Sequence, residues 1–317
     1  MMLLEDTFQR KFKTLRVSLL DVCNLACVYC TMGGDEQEKI NRSPQQSASH
    51  FAKLIGKLHG HLNFETIRLT GGEPLLFREI IPLIKSLKNL GIPQIKMTSN
   101  GTLLKQKAAD LKHAGLQCIN VSLDAVEDAA FFKVSKRKNL KQTLDGIDSA
   151  LDCGLDVKIN SVIMRGMNDD QLLPLLDFAF ERNIAIRFLE IMAMGHLYNQ
   201  SEKYFFSQTD MLEKISMYYQ ITPMPRKSSS TANYWKTSHG NTFGIIANNS
   251  HPFCGDCNRL RMDSFGNLFG CLSSNHPISF SGDENDETLR QNLQLAMNQK
   301  QTFRFTGSDM SMLHIGG

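Results

Sequence analysis

The chain lacks any apolar run near the roughly 18 residues that a membrane-spanning helix needs, and Glu5 and Asp6 stand where a secretory signal would need a basic start. Neither a span nor a leader is expected, and the expected location is the cytoplasm. Charge of one sign is also scarce, with 35 Lys plus Arg against 32 Asp plus Glu and a net of +3. That excess is too slight to argue for nucleic acid or a membrane surface as partner, so any cationic function must be local. Internal repeats and long low-complexity tracts are missing too. What is present is a chain of 317 residues, 42% hydrophobic, enough for one large domain with an appendage or for two domains.

Cysteine is sparse, yet six of the eight fall in two clusters near opposite ends of the chain: Cys23, Cys27 and Cys30, then Cys254, Cys257 and Cys271. In a reducing compartment such spacing reads as metal or cluster ligation before disulfides. Cys118 and Cys153 stand apart and read as small packing residues.

From about residue 15 to 190, short β-rich runs (LRVSLL, FETIRLT, QIKMTSN, LQCINVSLD, DVKINSVIM and IAIRFLE) alternate with helical patterns. Leu140, Leu144, Ile147 and Leu151 recur at helical spacing before Gly154, for example. The alternation predicts six parallel strands joined by right-handed crossovers. Strands buried on both faces would be continuously apolar, but these alternate. Every second residue gives Arg16 and Ser18; Thr66, Arg68 and Thr70; Lys96, Thr98 and Asn100; Cys118, Asn120 and Ser122; Lys158 and Asn160; and Arg187. A closed eight-stranded barrel fills its centre with bulky apolar layers. The expectation is therefore an α/β fold built on an incomplete (βα)6 TIM-like barrel with a polar lumen. Beyond residue 200 the pattern weakens to a helical stretch, a polar loop around 225–242, the second cysteine cluster and a final helix near 285–299. The expected division is a barrel domain over 1–235 and a C-terminal cluster region and tail over 236–317.

The first cluster, C-x3-C-x2-C, follows the first strand, where loops at the C-terminal ends of parallel strands gather ligands. Three thiolates close neither a tetrahedral zinc site nor the four-cysteine set of an electron-transfer cluster. On a four-iron cluster they leave one iron open, a catalytic arrangement; zinc completed by a distant His or Asp is the alternative. After the second strand, Gly71 and Gly72 of GGEP let the backbone approach a ligand, although Gly-Gly before Pro is also ordinary turn chemistry. The second cluster, C-x2-C-x13-C, again has three thiols, and His251 before it would complete a Cys3His zinc set. Spacing alone leaves both readings open. Arg259 and Arg261 follow Cys257, while the strands supply Arg16, Arg68, Lys158 and Arg187, a concentration suited to phosphate oxygens.

CNLACVYC, with Tyr29 before its third cysteine, resembles the signature of the radical S-adenosylmethionine superfamily, and GGEP is a second feature of that superfamily. LRVS, IRLTGGEPLL, VKINSVIMRGMND, RFLEIM, FCGDCNRLRMDSFGNLFGCL and terminal Gly316-Gly317 extend the likeness over roughly residues 10–317. Together they resemble the molybdenum-cofactor biosynthesis protein A, or GTP 3′,8-cyclase, family. The resemblance implies two [4Fe-4S] clusters, one on each cysteine triplet. It implies S-adenosylmethionine contacts from Tyr29, Gly72, Ser122 and Met192. It further implies GTP contacts from Arg16, Arg68, Ser99, Lys158, Arg259, Leu260 and Arg261, with Arg187 a further basic candidate. The implied chemistry is reductive cleavage of S-adenosylmethionine, abstraction of the C3′ hydrogen of GTP and attack on guanine C8; no residue is assigned as catalytic. Implied partners are GTP, a reducing electron donor and, as pathway successor, cyclic pyranopterin monophosphate synthase, with a homodimer as the assembly.

Four positions depart from the family pattern: Val22 in place of Arg, TMGG after Cys30 in place of Met-Pro, Ser99 in place of Thr, and a longer tail, MSMLHIGG. Ser for Thr keeps the hydroxyl. The alternatives to the cyclase are a divergent radical enzyme acting on another anionic small molecule or a peptide, and a non-catalytic zinc-binding protein.

Overall fold

The structure is a computed structural model that describes residues 4–31 and 46–315. Met32 to Gly34 of TMGG, and Gly316-Gly317, lie outside the described residues. The six expected strands are β1 (Thr14–Ser18), β2 (Thr66–Thr70), β3 (Gln94–Ser99), β4 (Cys118–Ser122), β5 (Asp156–Ile163) and β6 (Ala185–Glu190). They pair in chain order, every pair parallel.

The connecting helices include α1 (Ala48–Leu62), α2 (Ile80–Asn89), α3 (Leu104–Ala114), α4 (Asp128–Ser135), α5 (Leu140–Asp152) and α6 (Leu172–Glu181). Their ends follow local chemistry. The Ser47 hydroxyl accepts from the His50 N–H and caps α1, and Gly115, at φ +115°, takes the left-handed turn that ends α3. Period-two alternation then sorts each strand. Val157, Ile159, Ser161 and Ile163 of β5 are buried, whereas Lys158 and Asn160 are half-buried. The apolar set joins Leu15, Val17, Ile67, Leu69, Ile119 and Val121 in one core with residues of the helices. Cys118 is buried, Cys153 is half-buried, and both are free thiols.

The sheet is larger than the six strands expected and does not close. Its order is β11-β10-β1-β2-β3-β4-β5-β6-β9-β8-β7. β9 (Thr242–Ile246) adds parallel to β6, and β10 (Arg259–Met262) adds parallel to β1. β7 (Ile221–Met224), β8 (Asn233–Thr237) and β11 (Leu268–Phe269) continue the two ends antiparallel. β8 lies inside the stretch expected to be a polar loop. Strands at the margin of a sheet bury less of each face and tolerate Pro, as Pro223 in β7 illustrates, so they lack a clean alternation.

After β6 the chain forms α7 (Ser201–Tyr204) and α8 (Gln208–Ser216), and later α9 (Asp286–Asn298), close to the final helix expected from the pattern. A last short turn, α10 (Met312–Ile315), packs against β1, with Leu313 and Ile315 buried. Among the described residues no helix is long and apolar enough to cross a membrane.

Candidate active site

The first cysteine loop is pressed against the GGEP loop. Gly72 donates its N–H to Leu20 O at 2.7 Å, and Glu73 donates to Val22 O at 2.9 Å. A Cβ on Gly72 would stand 2.1 Å from Val22 O, which is why that position carries none. Glu73 is fully buried and accepts from Leu75 N at 2.9 Å, the Ser99 hydroxyl at 2.8 Å and Asn100 N at 2.7 Å. Burial pushes its carboxyl up to about 7, against the pull of those hydrogen bonds. Asn100 in turn points its amide at Cys23 Sγ, 3.6 Å away.

Cys23, Cys27 and Cys30 line one cavity, and Tyr29, Gly72, Ser122 and Met192 lie in the same wall. All four residues expected to contact S-adenosylmethionine are therefore brought to the first triplet. The Tyr29 hydroxyl donates to Asp124 Oδ2 at 2.8 Å, and Val162 N donates to Asp124 Oδ1 at 2.8 Å. Burial pushes the Asp124 carboxyl up to about 6 and raises the Cys27 thiol and the Tyr29 phenol. Met312 and Leu313 of α10 line the cavity as well, and the Ser311 hydroxyl donates to Cys30 O at 3.3 Å.

The basic set is built on strand register. Arg16 on β1 is paired with Arg68 on β2 and with Arg261 on β10, and Arg259 stands opposite Thr14. Arg16 is held well below its ordinary basicity by burial, then by the nearby guanidinium groups of Arg261, Arg68, Arg259 and Arg187. Burial likewise brings Arg68 and Arg261 down to about 10. Among the described residues, Arg16 Nε and both Arg187 Nε and Nη2 are buried without a hydrogen-bond partner. Lys158 is partly occupied by Asp156 at 3.3 Å. Two of the expected GTP contacts sit differently from the arginines. The Leu260 side chain is in the core opposite Leu15. Ser99 shares its buried face with Ile95 and Met97, and its hydroxyl serves Glu73 beside the first cavity.

At the second triplet, the Cys257 sulfur accepts from Arg259 Nη2 at 3.1 Å and from Lys300 Nζ at 3.2 Å. Burial would raise this thiol, but Lys300 and Arg259 outweigh it and bring it to about 6. Cys254 lacks such donors and is pushed up to about 11 by burial and by the other two thiols. His251 directs Nδ1 to Gln208 Nε2 and to the Ser250 hydroxyl, both at 3.1 Å. Among the described residues no group of three or more His, Cys, Asp or Glu could hold a single metal ion, as a zinc site would require. A [4Fe-4S] cluster asks for one thiolate on each of three irons, which each triplet could supply. Because β1 and β10 are parallel, Cys23 beyond the end of β1 and Cys257 before the start of β10 lie at opposite ends of the strand pair, with the arginines between.

Comparison with known proteins agrees with this geometry. The radical SAM superfamily model matches residues 17–179, and Molybdenum Cofactor Synthesis C matches 184–305. A "GTP 3′,8-cyclase" of Rhodopirellula baltica is 34% identical over 317 aligned positions, 96% of this chain and 88% of the relative. The chain belongs to the GTP 3′,8-cyclase family of radical SAM proteins. Another relative of that name, from Staphylococcus haemolyticus, is 38% identical over 281 positions, covering 86% of this chain and 82% of its own. Among solved structures, Streptococcus suis SuiB bound to S-adenosylmethionine superposes with a TM-score of 0.65 at 14% identity, covering 89% of this chain and 67% of SuiB. That likeness bears on the radical SAM fold alone.

Within the family frame, Asp124, Glu73 and Lys300 are the residues that sequence reasoning passed over. Glu73 was legible as part of GGEP and Asp124 as the acid ending INVSLD. Lys300 had no signal, because it follows a surface helix 43 residues after the sulfur it reaches.

Proposed function

We propose that the protein is a GTP 3′,8-cyclase of molybdenum-cofactor biosynthesis. The observation that carries this reading is the placement of two cysteine triplets at opposite ends of one parallel strand pair, separated by a cluster of half-buried arginines around buried Arg261. Burial and then the nearby guanidinium groups of Arg261, Arg68, Arg259 and Arg187 depress the basicity of Arg16, and a polyphosphate would offset that repulsion and accept bidentate hydrogen bonds.

Cys23, Cys27 and Cys30 would hold one [4Fe-4S] cluster and Cys254, Cys257 and Cys271 the other, each leaving a position for a ligand. Tyr29, Gly72, Ser122 and Met192 would hold S-adenosylmethionine against the first triplet. A cluster held by Cys23, Cys27 and Cys30 would supply the one-electron reduction that cleaves S-adenosylmethionine to methionine and a 5′-deoxyadenosyl radical, the chemistry needed for abstraction of the C3′ hydrogen of GTP and attack on guanine C8. Arg16, Arg68, Lys158, Arg259 and Arg261, with the Leu260 main chain, would fix the nucleotide so that its ribose faces the first cavity. Ser99 would act through Glu73, fixing the GGEP loop. Met312 and Leu313 line that cavity with apolar surface and would help to exclude water.

Residues 1–235 would serve as the radical-generating domain and 236–317 as the auxiliary-cluster region and tail. We place the enzyme in the cytoplasm as a homodimer, reduced by an external electron donor, with cyclic pyranopterin monophosphate synthase consuming its product. Family membership supports the pathway step. GTP deuterated at C3′ tests the reading: deuterium should appear in 5′-deoxyadenosine, and unlabelled 5′-deoxyadenosine would count against GTP as the hydrogen donor.

A further inference from the structure

The Cys257 sulfur is distinguished from its two partners. Arg259 Nη2 and Lys300 Nζ both donate to it, at 3.1 and 3.2 Å. The two donors come from different places, Arg259 from β10 and Lys300 from just beyond α9. Lys300 is held there by more than its own hydrogen bond. Its ammonium lies 5.6 Å from the Phe12 ring centroid. Arg10, paired with Asp6 at 2.6 Å, donates through Nη1 to Cys254 O at 2.9 Å and Gln301 O at 3.3 Å. Arg10 therefore clips the segment carrying Lys300 directly to the cysteine loop.

Lys300 is half-buried, and an ammonium withdrawn from water is costly unless a negative group meets it. Here the negative group is a ligand sulfur. Charge-assisted donors to a cluster's sulfur ligands stabilise the reduced, more negative form and so raise the reduction potential.

We propose that Lys300 is a positioning residue of the second cysteine centre, where it and Arg259 hold the Cys257 thiolate and raise the potential of the cluster bound there. Arg10 keeps Lys300 in place. The inference rests on the reading that Cys254, Cys257 and Cys271 hold a [4Fe-4S] cluster. It adds a residue that is not among the expected GTP contacts, and it gives Arg259 a second task on the cluster side of its guanidinium.

The test uses the full-length chain with Cys23, Cys27 and Cys30 all replaced by Ala, so that only the second triplet can bind. The protein is reconstituted anaerobically with iron and sulfide, then titrated with a reductant while its electron paramagnetic resonance signal is followed. Lys300→Met in this background should move the midpoint potential to more negative values, and Lys300→Arg should restore it toward the parent. A Lys300→Met protein that loses its iron while Lys300→Arg keeps it also supports the role. Equal iron content and an unchanged midpoint in Lys300→Met would overturn the role of Lys300 alone. A parent that takes up no iron at all would overturn the cluster reading, and this inference with it.

Discussion

Arg16 and Arg261 stand opposite one another across the parallel pair β1–β10, although they come from opposite ends of the sequence. Arg68 flanks Arg16 on its other side, so three guanidinium groups share one row across three strands. Burial and these neighbours lower the basicity of Arg16, so the charge on Arg16 should add nothing to stability until an anion binds. Arg16→Met keeps an apolar stem and removes one charge. The iron-free variant should melt no lower than the parent in calorimetry. Its GTP affinity should fall about 10- to 100-fold, the worth of one or two charge-assisted hydrogen bonds. A lower melting temperature with unchanged GTP binding would assign Arg16 to structure instead.

The first triplet and the arginine row should separate in mutation. Cys27→Ala removes a ligand of the first site and should abolish S-adenosylmethionine cleavage with or without GTP. Arg261→Ala should leave basal cleavage nearly intact and impair GTP use. Quantifying 5′-deoxyadenosine by chromatography, with and without GTP, distinguishes them, and an equal loss of basal cleavage in both variants would contradict the assignment.

Much of this was legible in the sequence because the signals were local. The six strands each carried a period-two pattern, and GGEP had to follow β2 closely because Gly72 touches the Val22 backbone. The cations Arg16, Arg68 and Lys158 could be assigned to the lumen by counting alternate residues. Ser99 and Leu260 show the limit of such counting: both fall on the buried face of their strands, where motif matching alone placed them at GTP. β9 and β10 were invisible as parallel partners, since their pairing with β6 and β1 is a long-range choice that neither segment's composition announces. Lys300 was missed for the same reason.

Glu73 should leave a signature in pH. Its folded-state value of about 7 lies above the ordinary 4.5, so the folded state holds this proton more tightly than the unfolded chain. Its contribution to stability is therefore fully present below pH 4.5, declines as pH rises through 7, and is flat beyond. The full span is worth roughly 3 kcal/mol as an upper bound. Denaturant titrations of iron-free parent and Glu73→Gln should differ in slope across that window. Parallel curves would show that the carboxyl ionises normally.

Two glycines should respond in opposite directions. Gly60 lies near the end of α1, exposed, with nothing within 4 Å of an added Cβ. Gly60→Ala should stabilise by about 0.5–1 kcal/mol. At Gly72 the added Cβ meets main chain at 2.1 Å, so Gly72→Ala should destabilise by about 3 kcal/mol and weaken S-adenosylmethionine binding. Unfolding midpoints and a binding titration with the cofactor check both.

The most direct measurement is anaerobic incubation of the reconstituted, reduced protein with S-adenosylmethionine and GTP, with both products quantified. The arginine row between the two triplets predicts 5′-deoxyadenosine and 3′,8-cyclo-GTP forming together. Formation of 5′-deoxyadenosine at the same rate with or without GTP, and no cyclised nucleotide from protein holding both clusters, would contradict it.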